Sequence, residues 1–197
     1  MSLLPSLSEM VNRARTDLRM GVPVVLEGSG DALLVAAVET LGPERLADLR
    51  ALGSPALAIT ARRAETLKAR PYDGDLARIA LPEPADLRWL RAMADPRDDL
   101  ATPMKGPFTC LRDGPADTWR TALALVKSAQ LLPAVLAVGL GAGRDFALRH
   151  GLTFLPRGAA EEDLLRTGPL SPIVSARVPL AASEAGRVHV FRPDDGS

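Results

Sequence analysis

Two hydrophobic rhythms exchange along this chain, and that exchange constrains its fold more than anything else: short apolar runs of strand length alternate with stretches of helical period. Between Asp117 and Leu155 one complete unit is legible. Trp119, Ala122, Leu123, Val126 and Ala129 recur at helical spacing, Leu131-Leu132-Pro133 closes that helix, and Ala134 to Val138 is a short apolar strand. Gly143 to His150 is a second helix carrying Phe146 and Leu148, and Gly151-Leu152-Thr153-Phe154-Leu155 opens the next buried run. The earlier chain repeats the pattern. Ser6 and Glu9 have capping-box spacing, and Leu7, Val11, Ala14 and Leu18 form one apolar stripe, so a helix runs from Leu7 to Met20 and ends at Gly21. Val22 to Glu27 and Leu33 to Val38 are near-continuous apolar runs around a Gly-Ser-Gly-Asp turn, which predicts strands buried on both faces. A helix from Pro43 to Leu52 followed by Gly53, a strand from Ala56 to Thr60, a short helix from Ala61 to Leu67 and a strand from Ala77 to Leu81 come next. Asp86 caps a helix bearing Leu87, Leu90 and Met93, and Asp95 to Pro115 is a long irregular segment. This order predicts a layered α/β (α+β) domain.

Composition excludes several functions. With Lys plus Arg equal to Asp plus Glu at 24 each, the chain carries no net field to concentrate along a phosphate backbone. Aromatic residues are only 4% of the chain, too few for base-stacking platforms, so no nucleic-acid partner is expected. No run of eighteen apolar positions exists, and Glu9 interrupts any secretory h-region, so neither a membrane partner nor a leader is expected. The single cysteine, Cys110, rules out an internal disulfide and suits a reducing cytoplasm. It reads as a small half-buried hydrophobe.

The order of helix, "LLPA", strand, helix and "HGL" resembles the C-terminal half of 3,4-dihydroxy-2-butanone 4-phosphate synthase, an enzyme of the riboflavin pathway. Val11 to Pro23 ("VNRARTDLRMGVP") is similar to that family's first helix, and Val24 to Glu39 to its first strand, its acidic loop and the strand after it. Ala94 to Leu111 ("ADPRDDLATPMKGPFTCL") resembles the stretch that holds the family's Pro-Gly-His-Val-Phe-Pro-Leu run. The resemblance implies a mixed sheet flanked by helices in a homodimer, with the ancestral sites at the subunit interface.

Three departures from the family's pattern bear on function. The family's acidic loop, of the type Asp-Asp-Glu-Asp-Arg-Glu-Asn-Glu-Gly-Asp, holds magnesium and acts on the sugar phosphate. The stretch here is Glu27-Gly28-Ser29-Gly30-Asp31, two acids where a hard cation needs several oxygens. The family's Gly-His-Thr-Glu, whose histidine ligates the metal, is replaced by Ala116-Asp117-Thr118-Trp119. Its Pro-Gly-His is replaced by Lys105-Gly106-Pro107. These losses predict a retained scaffold without synthase chemistry, with no cofactor and no metal ligands. A surviving magnesium-dependent synthase acting on ribulose 5-phosphate is the alternative, and a module that binds or senses a phosphorylated small molecule is a third.

Ala176 to Ser197 ("ARVPLAASEAGRVHVFRPDDGS") resembles the opening strands of GTP cyclohydrolase II. Bifunctional riboflavin proteins place the synthase domain directly before the cyclohydrolase domain, so residues 1–170 are expected to form the synthase-like domain and 171–197 the linker and start of a cyclohydrolase II-like domain. That following domain would be a partner within the parent chain. Thr167 to Pro172 is the candidate boundary.

The vestigial catalytic candidates are therefore Glu27, Asp31 and Thr118. Glu39 is the one further acid near the metal loop, and the favoured reading of Glu27 and Asp31 is as acids that solvate a turn. Were a phosphorylated ligand still bound, Lys105 would supply charge and the Thr118 hydroxyl a hydrogen bond. The structural reading is that Asp117 or Thr118 caps the helix behind it. Trp119 sits on the apolar stripe, His150 at a helix end where the dipole favours it, and His189 in the tail's alternating strand.

Overall fold

The computed structural model describes residues 4–28, 30, 32–103, 105–165, 170–179 and 185–193. The chain divides into two compact units, residues 1–164 and 165–197. In the first, α1 (Leu7–Arg19) starts on the predicted capping box: the Ser6 hydroxyl accepts from the Glu9 N–H at 3.3 Å, and the Ser6 N–H donates to Glu9 Oε2 at 2.7 Å. It ends at Met20, where Gly21 turns the chain at φ +76°. A Cβ there would lie 2.6 Å from the Thr40 carbonyl oxygen, so the turn requires glycine.

The chain continues through β1 (Val24–Glu27), β2 (Ala32–Ala37), α2 (Pro43–Leu52), β3 (Ala56–Thr60), α3 (Ala61–Leu67), β4 (Leu76–Ala80) and α4 (Leu87–Ala94). After a 3₁₀ turn at Pro96–Asp98 come α5 (Asp117–Ser128), β5 (Ala134–Leu140), α6 (Gly143–His150), β6 (Phe154–Pro156) and α7 (Arg157–Leu165). The six strands form one sheet in the order β4-β3-β5-β2-β1-β6, antiparallel throughout except where β1 meets β6.

Helices cover both faces, which is why the strands read as continuous apolar runs despite their antiparallel pairing. Leu26, Leu33, Val35 and Val135 pack on one side with Leu18 of α1, Trp119 and Val126 of α5 and Ala160 of α7. Val25, Leu34, Leu57 and Leu136 pack on the other with Leu49 of α2, Leu90 and Met93 of α4 and Ala147 of α6. Successive strand residues thus serve opposite cores.

Two sequence expectations are corrected. The stretch from Asp95 to Pro115 is not wholly irregular: Ala80 N–H donates to Thr109 O at 2.9 Å, Leu111 N–H to Arg78 O at 2.7 Å, and Cys110 bridges Ile79. It covers the outer edge of β4, whose backbone groups would otherwise be unpaired. The cap of α5 is Ala116, without a side-chain cap bond. Neither Asp117 nor Thr118 caps the helix, because the Asp117 carboxylate is turned to Arg120 at 2.8 Å and Thr118 is buried on the core side of α5.

The second unit holds an antiparallel ribbon of β7 (Leu170–Arg177) and β8 (Arg187–Pro193), bulged between Pro172 and Val174. His189 and Phe191 lie on one face of β8, their rings 6.2 Å apart. Residues 167–169 of the expected boundary lie outside the described residues. Among the described residues, no helix is long and apolar enough to cross a membrane.

Candidate functional site

Strand register brings four chain positions to one end of the sheet: Glu27 lies opposite Ala32 and Pro156, and Ala32 lies opposite Leu140. A crevice of about 380 Å³ opens there between the β1–β2 turn and the β5–α6 loop, bordered by Glu27, Gly28, Gly30, Gly141, Arg144 and Asp145 among others. The ends of strands are where open α/β sheets usually hold ligands. Helix α6 reaches this end by close packing, since a Cβ on Gly143 would stand 2.7 Å from the Ala32 Cβ.

Glu27 is therefore placed in a crevice, while Asp31 lies outside the described residues. Asp145 contributes a second carboxylate, and the Arg144 guanidinium lies over the Phe154 ring at 4.5 Å. Among the described residues, no group of three or more His, Cys, Asp or Glu side chains converges. A magnesium ion takes about six oxygen ligands in near-octahedral order, and this described set does not fit it. Glu39 stands at the opposite end of β2, where Oε2 accepts the Leu132 N–H at 2.7 Å.

At the start of α5, the charge of Asp117 is spent on Arg120. The Arg120 guanidinium donates to Asp117 at 2.8 Å, to both Asp75 carboxylate oxygens at 2.9 Å and to the Asp73 carbonyl at 3.0 Å. These bonds hold the Asp75 carboxyl below the usual carboxylate range and raise Arg120 in turn. One turn along, the Thr121 hydroxyl donates to Glu161 of α7 at 2.9 Å, and Thr118 is only 2% exposed.

Lys105 and Thr118 are not brought together. Lys105 borders a separate cavity of about 750 Å³ with Asp99, Lys68 and Phe108, and Thr118 is not on its walls. The Lys105 ammonium donates to Asp99 Oδ1 at 2.6 Å and its side chain is 5% exposed, so its charge is neutralised inside the protein. Asp99 is held from its other side by Arg63. The Arg63 guanidinium also donates to the carbonyls of Met93 at 2.7 Å, Ala92 at 2.8 Å and Asp95 at 3.1 Å. Nothing in the sequence signalled this knot, because Arg63 and Asp99 lie 36 residues apart in the chain.

Arg63 first, then Lys105, push the Asp99 carboxyl far below the ordinary aspartate range against the opposing cost of its burial. A carboxyl whose folded value is depressed contributes stability that is fully present above its unfolded value of about 3.9 and is withdrawn as the pH falls below it. Urea midpoints should therefore decline from about pH 4 downward. Asp99→Asn should flatten that acid limb while lowering stability at neutral pH, and an unchanged acid limb in the variant would count against the assignment.

No family model matches the chain. Its fold is that of the 3,4-dihydroxy-2-butanone 4-phosphate synthases. The synthase of Candida albicans superposes with a TM-score of 0.58 at 18% identity, over 79% of this chain and 97% of that one. A synthase in complex with two magnesium ions gives 0.57 at 15% identity, over 83% and 98%. A two-domain synthase from A. baumannii gives 0.59 at 15% identity, over 92% and 65%. In sequence the chain is 31% identical over 195 residues to GTP cyclohydrolase-2 of Azospirillum brasilense, covering 94% of this chain but 50% of that protein. The chain thus has the dihydroxybutanone phosphate synthase fold and is similar in sequence to one half of a GTP cyclohydrolase-2 protein, spanning about half the length of that relative.

Proposed function

We propose that this chain is a catalytically silent synthase-like domain of a cytoplasmic GTP cyclohydrolase II-type protein of riboflavin biosynthesis, retained as a structural and dimerisation module. One observation carries the reading: where the synthase family places a metal-binding histidine, Asp117 is consumed by Arg120 together with Asp75. The crevice at the end of β1 supports it, because Glu27 faces glycines, Arg144 and a single further described carboxylate. General acid–base work on a sugar phosphate needs a group of tuned pKa beside the reacting carbon, and no histidine stands at the matching positions.

On the same reading the β7–β8 ribbon begins a cyclohydrolase II-like domain, which is the partner of this domain in the parent chain, and two copies pair as a homodimer. No cofactor is required. The test is formate release from ribulose 5-phosphate with magnesium. None is expected. Turnover that Glu27→Gln abolishes would establish an active synthase instead.

A further inference from the structure

We infer that the domain carries a second ligand site, at the opposite end of the sheet from Glu27, built to hold a small phosphate ester that also bears hydroxyl groups. A cavity of about 520 Å³ lies between α4, the segment after it, and the turns that follow β2 and precede β5. That is a volume suited to a small-molecule ligand. Arg88 and Arg91 border it. They stand three positions apart on one helix, so their side chains are neighbours. Among the described residues, neither guanidinium has a hydrogen-bond or ion-pair partner, whereas Arg50, Arg63, Arg78 and Arg120 are each locked to carbonyls or carboxylates.

Two carboxylates share the cavity, and neither lies within ion-pair distance of the arginines. Each is oriented by a backbone amide. Glu39 Oε2 accepts the Leu132 N–H at 2.7 Å, and Asp95 Oδ1 accepts the Arg97 N–H at 2.8 Å. The other oxygen of each carboxylate has no protein donor among the described residues. Paired guanidiniums match the oxygens of a phosphate, and fixed carboxylate oxygens accept hydroxyl protons. A ligand bearing only an anion leaves the two acids unanswered, and one bearing only hydroxyls leaves the arginines so. The walls are also held in advance of binding. Arg63 ties Ala92, Met93, Asp95 and Asp99 together, so α4 and the segment after it keep their spacing without a ligand.

This site is independent of whether synthase chemistry survives at the other end of the sheet. Calorimetric titration of the 197-residue chain with ribose 5-phosphate, ribose and inorganic phosphate tests it. Ribose 5-phosphate should bind saturably and more tightly than inorganic phosphate, and ribose should give no isotherm. Arg88→Gln with Arg91→Gln should weaken the sugar phosphate about 10- to 100-fold, the loss expected for hydrogen bonds to a charged group. Both side chains are exposed, so the double variant should unfold at the same urea concentration as the parent. Glu39→Gln should narrow the preference for ribose 5-phosphate over phosphate. Absence of a saturable isotherm, or binding that survives the double substitution, would overturn the assignment.

Discussion

Arg63→Ala lowers the unfolding free energy by about 3–5 kcal/mol, the range for removing one member of a buried, hydrogen-bonded ion pair. The side chain is 10% exposed and its guanidinium serves Asp99 and three main-chain carbonyls at once. Alanine removes every one of those donors and leaves Asp99 with Lys105 alone. Urea denaturation followed by circular dichroism reads the loss. Hydrogen exchange should show amides of residues 92–99 opening before the sheet does, because the acceptors that Arg63 holds lie in that segment. Arg63→Lys should recover little, since a single ammonium cannot reproduce a planar fork that donates in several directions. A loss below about 1 kcal/mol, the ordinary value of an exposed pair, would show that the knot is held by packing rather than by the guanidinium.

Arg78→Ala should cost a similar amount, about 3–5 kcal/mol, for a different reason. Arg78 projects from β4 on the side of the sheet that bears α1 and α5. It donates to Asp73 at 2.8 and 2.9 Å and to the Gly114 carbonyl at 3.1 Å, and the side chains are only 4% and 11% exposed. The single variant strands the Asp73 carboxylate away from water. Arg78→Met combined with Asp73→Leu removes both charges and should restore most of the stability, because the desolvation penalty of the pair disappears with its attraction. If the double variant is no more stable than the single, the ion pair contributes net stability, contrary to this account.

The regular elements were legible because their signals are local. The capping box of α1, the proline at the start of α2, the Asp86 cap of α4 and the short continuous apolar runs of the strands each depend on residues a few positions apart. The segment after α4 was not legible in that way. Its pairing with β4 depends on an edge that exists only once the sheet has formed, and its anchoring depends on Arg63, which lies 36 residues before Asp99. The α5 cap was misread for a related reason: a side chain able to cap locally found a stronger partner in Arg120, itself drawn to Asp75, 45 residues away in sequence.

The candidate site shows the same division. Glu27 was legible from the sequence as a candidate, and strand register places it at the crevice beyond the end of β1. The pairing of Lys105 with Thr118 was not realised, because Lys105 is turned to Asp99 and Thr118 is buried on α5. Arg88 and Arg91 carry no motif at all, and on the sequence they are two cations on the polar side of an amphipathic helix.

Sequence alone determined which segments are strands and helices and that both faces of the sheet are covered, since each follows from side-chain identity and short-range spacing. Tertiary structure decided which charges are spent and which stand open. A guanidinium or carboxylate has the same chemistry everywhere in a sequence, and only the folded chain sets whether its partner is another residue or a cavity.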